Sequence, residues 1–383
     1  MTCIVCGAAS LTEIDPYHAL FRITSDCRPF RRGGRLYHCE HCGAVQKQND
    51  DRWQEDCKEI YDAYDVYSVS AGIEQSVRGG SDGSSFGKRS DLILACLRGH
   101  FELPPTGRFL DFGCGSGVSS KAASEQLFGW TLDGFDLDRR MEKGLKIIDG
   151  FETLYDGDPE EIPERYDVIM LTHVLEHVPN PKSTLQLLAG LLKPDGKIVV
   201  QVPNRVANPF DLLVADHLIH FDEVSLARVC HKAGLCLEYL ASDWVAKELT
   251  LVISTPNLGD KAVKPSPALT DPPQAHVKWL TKVAEFCRDH KESESLGLFG
   301  TSLISVWMGE ELGRQPDFYL DEDPAKIGKT LHGVTILAPK DAPEGATVIP
   351  AMAPAIVRLV SRRYQDAQFT VLDLPEAEIT QNR

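Results

Sequence analysis

The sequence predicts an α/β protein built around a parallel sheet covered on both faces, and three observations carry that expectation. Between residues 86 and 255, apolar runs of strand length alternate with helix-like stretches, the pattern of strands joined by covering helices. The first run ends in "RFLDFGCGSG" (108–117), where an acid is followed by glycines at every second position. Ahead of this core, "CIVCG" and "CEHCG" form two Cys-x-x-Cys-Gly pairs.

Strands are expected at "RFLDFG", "TLDGFDLD", "FETLYDG", "YDVIMLT", "GKIVVQVP", "LCLEYLA" and "LTLVIST", with helices between them that include "KSTLQLLAGLLK" and "DEVSLARVCHKAG". Four segments follow from composition. Residues 1–70 are rich in cysteine and arginine, and residues 71–85, "AGIEQSVRGGSDGSS", read as a linker. Residues 86–255 are the core. Residues 256–383 open on a proline-rich break and the helix-like "QAHVKWLTKVAEFCRDHKES", then alternate again as a second, smaller α/β unit. A length of 383 residues agrees with several domains.

No apolar run is long enough for a membrane helix. The N-terminus lacks a basic segment followed by an apolar one, so no export signal is expected and the predicted compartment is the cytoplasm. A net charge of −16 argues against a protein that coats nucleic acid. Arg22, Arg28, Arg31, Arg32 and Arg35 are a local exception. They read either as solvated surface or as an electropositive rim for a phosphorylated substrate.

Eleven cysteines in a chain of this kind point to metal or free thiols before disulfides. The short spacing lets Cys3 and Cys6, and likewise Cys39 and Cys42, turn both sulfurs toward one ion, with glycine permitting the turn beneath. Four thiolates close a tetrahedral zinc shell and leave no place for water, which makes the expected zinc structural. His38 and His41 flank the second pair but are not needed as ligands. The other seven cysteines are scattered and read as buried or incidental.

The glycine loop lacks the Lys-Ser/Thr of a triphosphate loop, since Gly117 is followed by Val118 and Ser119. It also lacks the G-x-G-x-x-G spacing of a dinucleotide site, because Gly113, Gly115 and Gly117 run G-x-G-x-G. Asp111 before the loop would repel a pyrophosphate but suits an ammonium group, which favours the methionyl end of S-adenosylmethionine over NAD. Asp136 in "GFDLD" sits where an acid accepts ribose hydroxyls, a feature that fits either cofactor.

Taken in order, "LDFGCGSG", "GFDLD", "YDVIMLTHVLEHVPNP" and "LLKPDGKIVVQVPN" resemble the class I S-adenosylmethionine-dependent methyltransferases across most of 108–204. The resemblance implies a seven-stranded sheet whose last strand inserts antiparallel. It implies that Asp111, Gly113, Cys114, Gly115 and Gly117 hold the methionyl portion and Asp136 the ribose. An acid of "YDGDPEEIP", Asp158 with Asp156 and Glu160 as competitors, would lie near adenine. Thr172 and His173 would border the cofactor, while Glu176 and His177 shape the pocket and Asn204 meets the substrate.

The order of a four-cysteine module, a core and a second Rossmann-like α/β unit resembles the three-domain zinc-containing sugar methyltransferases. Those that methylate carbon act on nucleotide-linked keto-deoxysugars. The likeness implies a small nucleotide-sugar acceptor and an active-site tyrosine in "YDAYDVYSVS", with Tyr67 the counterpart and Tyr64 second. The C-terminal "GLFGTS" departs from that family's glycine-lysine pattern, which leaves carbon against oxygen methylation open. That loop could itself bind a nucleotide, or serve only packing or positioning. Either acceptor needs a base, and imidazole suits that role near neutral pH. His217 and His220 in "VADHLIHFDEVSL" are the candidates, the alternative being that one of them merely caps the following helix. Two other readings remain: a small-molecule or RNA methyltransferase that captures substrate with its zinc module, and a non-catalytic cofactor-binding module.

Overall fold

The computed structural model describes residues 1–64, 76–79, 85–256 and 272–376. Tyr67 and most of the stretch read as a linker lie outside them. The described part of that stretch is not a plain linker. Ser76–Gly79 pairs antiparallel with Ser85–Lys88, and Val77 packs against the core, which gives this hairpin an apolar anchor.

In the N-terminal segment, short strands Leu11–Glu13, Tyr37–Cys39 and Val45–Gln46 lead into helix α1 (Asp51–Asp62), capped by Asp50. The core follows with helix α2 (Arg89–His100), strand β1 (Arg108–Phe112), helix α3 (Val118–Gln126), β2 (Thr131–Phe135), β3 (Phe151–Tyr155) and β4 (Tyr166–Thr172). Helix α4 (Pro181–Gly190), β5 (Leu192–Pro203), helix α5 (Glu223–Ala233), β6 (Cys236–Ala241) and β7 (Glu248–Ser254) complete it.

All seven expected strands form one sheet in the order β3-β2-β1-β4-β5-β7-β6, with β7 antiparallel to both of its neighbours. The apolar runs of β4 and β5 are buried on both faces, as parallel strands under two helix layers require. Helix α4 stops sooner than "KSTLQLLAGLLK" suggests, and β5 already begins at Leu192. Pro194 disfavours helical backbone in the residue before it, and Gly196 lies so close to the Tyr166 carbonyl that a Cβ would approach to 2.8 Å.

After the proline-rich break come helix α6 (Pro273–Asp289), β8 (Leu296–Phe299), helix α7 (Leu303–Leu312) and β9 (Phe318–Leu320). Strands β10 (Thr330–Leu331), β11 (Val334–Leu337) and β12 (Thr347–Pro350), helix α8 (Pro354–Arg363) and β13 (Thr370–Val371) finish a second sheet, ordered β10-β11-β9-β8-β12-β13. It is parallel except at β10. No helix among the described residues is long and apolar enough to cross a membrane.

The three segments share apolar packing. Tyr17, Leu20 and Ile23 from the N-terminus, Phe210 and Leu213 from the core, and Trp279, Leu280 and Trp307 from the C-terminus belong to one buried cluster. Trp307 is fully buried, its indole N–H donates to the Phe21 carbonyl, and its ring meets Phe210 edge-on. Glu311 ties the same contact with charge, accepting from Arg32, Arg288 and the Phe21 amide. Trp307→Ala is expected to cost about 3–5 kcal/mol of stability through lost burial and the cavity left behind. Chemical denaturation measures it; an unchanged midpoint would refute this packing account.

Candidate functional site

The two cysteine pairs adopt matching turns. Cys3 N–H donates to Ala8 O and Gly7 N–H to Cys3 O, and the same bonds recur from Cys39 to Ala44 and from Gly43 to Cys39. Gly7 and Gly43 have φ of +82° and +76°, the left-handed region that glycine enters freely. All four sulfurs lie within 4.8 Å of one another, with Cys3–Cys42 at 3.6 Å and Cys6–Cys39 at 3.7 Å. A tetrahedral shell with Zn–S bonds of about 2.3 Å sets sulfurs roughly 3.8 Å apart, so the donor set fits that ion.

The glycine loop spans the carboxyl end of β1 and the start of α3. Gly113 and Cys114 both donate to Phe135 O, and the Asp136 carboxylate accepts from Gly115 N–H at 2.8 Å, which fixes the loop on the tip of β2. Gly113 leaves no room for a side chain, since a Cβ would meet Val174 at 2.4 Å, whereas a Cβ at Gly115 would meet nothing within 4 Å. The loop therefore packs against the 173–178 turn on one side and stays open above Gly115. Each Asp136 oxygen accepts one backbone N–H, the second from Asp138, and keeps a lone pair that can accept from a further donor.

Other residues read for the cofactor take different positions. Asp111 is buried and accepts from the Ser120 amide and hydroxyl, which secures the first turn of α3. Cys114 is buried with Leu145 and Leu154, and burial beside Asp111 and Asp136 keeps its thiol protonated. Its side chain serves packing. Asp158 is exposed and caps the turn Pro159–Glu161, Asp156 pairs with Arg139, and Glu160 is exposed. Thr172 ends β4 within 3.4 Å of the Ser119 hydroxyl.

Just beyond β4, His173 adopts a φ of +55°, rare for a residue with a side chain. Its ring lies between Glu176 Oε1 at 3.1 Å and Glu248 Oε2 at 3.4 Å. Burial opposes the imidazolium, but Glu248 and Glu176 outweigh it and push the pKa up to about 9. A charge held more firmly in the fold than in the open chain stabilises fully below pH 6.5, and its contribution is lost as pH rises through about 9. The stability difference between the native chain and His173→Gln should therefore narrow between these pH values. Thermal unfolding reads it, and a constant gap contradicts the ion-pair assignment.

The candidate bases occupy a buried network. Asp211, in the short helical turn Pro209–Leu213, accepts from His217 Nδ1 through one oxygen and from His220 Nδ1 through the other, both at 2.8 Å. Burial works against the Asp211 charge, yet the two histidines hold it well below the usual carboxylate range. His220 Nε2 is 2.9 Å from Lys47 Nζ, which also donates to Val214 O and His217 O. Burial, then Lys47, pushes His220 down to about 3, while burial and Arg22 push Lys47 down to about 7. Both His220 nitrogens are engaged and its ring is fully buried. By contrast, no hydrogen-bond partner of His217 Nε2 is found among the described residues.

The surroundings tie this network to the glycine loop. Leu218 and Ile219 amides donate to Glu176 O, on the same turn that packs against Gly113. His177 stacks edge-on to His217 at 4.6 Å and lies 3.2 Å from the Tyr61 hydroxyl. Neither histidine caps α5. Asp222 does so in a reciprocal pair with Ser225. Asn204 accepts from the amides of Val206 and Ala207 and so shapes the turn after β5.

Sequence reading missed Asp211, Lys47 and Tyr61. Lys47 reaches His220 because Ile219–His220 forms the fourth strand of the N-terminal sheet, antiparallel to Val45–Gln46. The arginine cluster is likewise tied inward. Arg22 and Arg31 pair with Asp56, Arg28 with Asp26, Arg32 with Glu311 and Arg35 with Glu13, so no free cationic rim is presented by these five.

A family model described as a methyltransferase domain matches residues 87–240. Among curated proteins, a ubiquinone biosynthesis O-methyltransferase of Paracidovorax citrulli is 34% identical over 116 residues, covering 28% of this chain and 48% of that protein. The protein of the same name from Pseudomonas syringae pv. syringae is 34% identical over 117 residues with the same coverage. The chain spans about half the length of the curated relatives it matches. Among solved structures, an S-adenosylmethionine-dependent methyltransferase from Clostridium acetobutylicum aligns with a TM-score of 0.36 at 11% identity, covering 44% of this chain and 91% of that one. Residues 87–240 match a methyltransferase domain, and the sheet that runs on from them to Ser254 has the seven strands and the antiparallel insertion that the sequence resemblance implied.

Proposed function

We propose that the chain transfers a methyl group from S-adenosylmethionine to a small-molecule acceptor, with His217 as the base. The observation that carries this reading is the Asp211–His217 pair beside the turn that packs on the glycine loop. The bound cofactor supplies an electrophilic methyl on a sulfonium. The open space above Gly115 and the spare lone pairs of Asp136 suit its methionyl and ribose ends. Donation of Nδ1–H to Asp211 fixes the tautomer of His217, so Nε2 carries the lone pair that accepts the acceptor's proton. The Lys47–His220 pair holds the other oxygen of Asp211 and so positions the dyad.

Cys3, Cys6, Cys39 and Cys42 hold a structural zinc in this account, supported by their sulfur spacing. The division into an N-terminal zinc module, a core and a C-terminal α/β unit belongs to the same proposal. The acceptor we favour is a nucleotide-linked sugar, on the strength of that three-part order. The relatives' names favour a second reading, methylation of an intermediate of ubiquinone biosynthesis. A radiolabelled methyl-transfer assay against keto-deoxysugar nucleotides and such intermediates tests both. Turnover of the sugar nucleotides supports the first reading, and turnover of the ubiquinone intermediates alone replaces it with the second. Absence of transfer to every acceptor of both classes overturns the acceptor assignment.

A further inference from the structure

Three side chains beside the glycine loop face one another in an arrangement that hydrogen bonding leaves unfinished. Glu176 and His177 stand on the turn after β4, and His217 precedes the two-residue strand Ile219–His220. One potential ligand atom from each lies within 4.8 Å of the other two. Glu176 is 1% exposed and His217 5%, while the His177 side chain keeps 18% of its surface open to solvent.

One atom of each group is already held from outside the cluster. His217 Nδ1 donates to Asp211 at 2.8 Å. His177 Nδ1 lies 3.0 Å from the Asp216 carbonyl, which can only accept, so the proton sits on Nδ1. Glu176 Oε1 is 3.1 Å from His173 Nδ1. What remains is Nε2 of each ring and Glu176 Oε2, which is buried with no hydrogen-bond partner. Neither Nε2 has a hydrogen-bond partner among the described residues. A neutral ring protonated on Nδ1 offers a lone pair at Nε2, and a carboxylate oxygen offers lone pairs alone. Three acceptors therefore converge with no donor among them, and a buried acceptor left in that state is an exception that calls for a partner.

A water brings two protons to three acceptors, whereas a divalent cation satisfies all of them. Histidines that bind metal almost always donate their other N–H to a carboxylate, a backbone carbonyl or water, and here Asp211 and the Asp216 carbonyl take that part. Two imidazoles and a carboxylate favour a transition metal over magnesium or calcium, which take oxygen ligands. Bonds of about 2.0–2.2 Å place ligand atoms roughly 3–4 Å apart, so small side-chain rotations close the shell.

We propose that Glu176, His177 and His217 bind a divalent transition metal such as zinc or nickel, at a site distinct from the four cysteines. The ion takes the Nε2 lone pair that receives the acceptor's proton in methyl transfer, so the metal-bound and catalytic forms exclude one another. The site stands on the donor geometry alone; the blocking rests on His217 as the base.

Nickel titrated calorimetrically into the full chain tests the proposal, the chain being first loaded with zinc and then cleared of weakly held metal by brief chelation. One saturable site is expected below about 100 μM, weakened about tenfold or more in His177→Ala and in Glu176→Gln. His231→Ala, which removes an exposed imidazole of α5, should bind nickel as the native chain does. Unfolding midpoints taken without nickel show whether each variant is folded, and nickel should raise the native midpoint but not that of His177→Ala. No saturable site, or equal affinity in the native chain and both site variants, overturns the metal assignment. At saturating nickel, methyl transfer should fall about tenfold or more in the native chain and recover on chelation. Saturation with an unchanged rate overturns the blocking, and the rate of nickel-free His217→Asn shows whether the base assignment fails with it.

Discussion

His217→Asn is expected to slow methyl transfer by about 10²–10⁴-fold while leaving affinity for adenosylhomocysteine and thermal stability close to native. Asparagine keeps an N–H for Asp211 but offers no basic nitrogen in place of Nε2. The contrast with His220 makes the test sharp. His220 is fully buried between Asp211 and Lys47, so His220→Asn should lower stability first, because it disrupts the Asp211 pairing and takes away one of the three acceptors of a buried lysine. Steady-state rates on the two variants, set beside their unfolding midpoints, decide the roles. Full activity in His217→Asn would remove it as the base, and loss of rate without loss of stability in His220→Asn would transfer the role.

Loss of the proposed zinc should have the larger structural effect. Binding of zinc to four thiolates contributes about 10–16 kcal/mol in small peptides, so Cys39→Ser is expected to abolish zinc content and unfold the first sheet. The damage should not remain local. Ile219–His220 is a strand of that sheet, and Tyr17, Leu20 and Ile23 pack with Trp279 and Trp307. Elemental analysis should find one zinc per native chain and none in the variant, with a fall in the unfolding midpoint and in methyl transfer together. A native chain that keeps its midpoint after chelation would contradict a structural zinc.

The parts legible in the sequence are those written in local pattern. Seven apolar runs bounded by turn residues become the seven strands of the core, and the glycine spacing marks the loop between β1 and α3. The repeated Cys-x-x-Cys-Gly pairs mark two matching turns, because φ above zero at Gly7 and Gly43 is a property of those positions themselves. The base network is different in kind. Lys47 and His220 are 173 residues apart and meet only because a two-residue strand of the core completes the N-terminal sheet. No periodicity announces such a strand. The spacing of His217 and His220 gives them equal standing, and only the placement of Lys47 distinguishes a ring with both nitrogens engaged from one whose Nε2 meets no hydrogen-bond partner among the described residues. The arginines show the same limit: their carboxylate partners, from Glu13 to Glu311, are scattered along the chain.

The most direct test of the account is calorimetric titration of the full chain with adenosylhomocysteine and, separately, with NAD. The account predicts one adenosylhomocysteine site per chain, weakened by Asp136→Asn through its ribose contact, and no heat from NAD. Uptake of NAD with none of adenosylhomocysteine would contradict it.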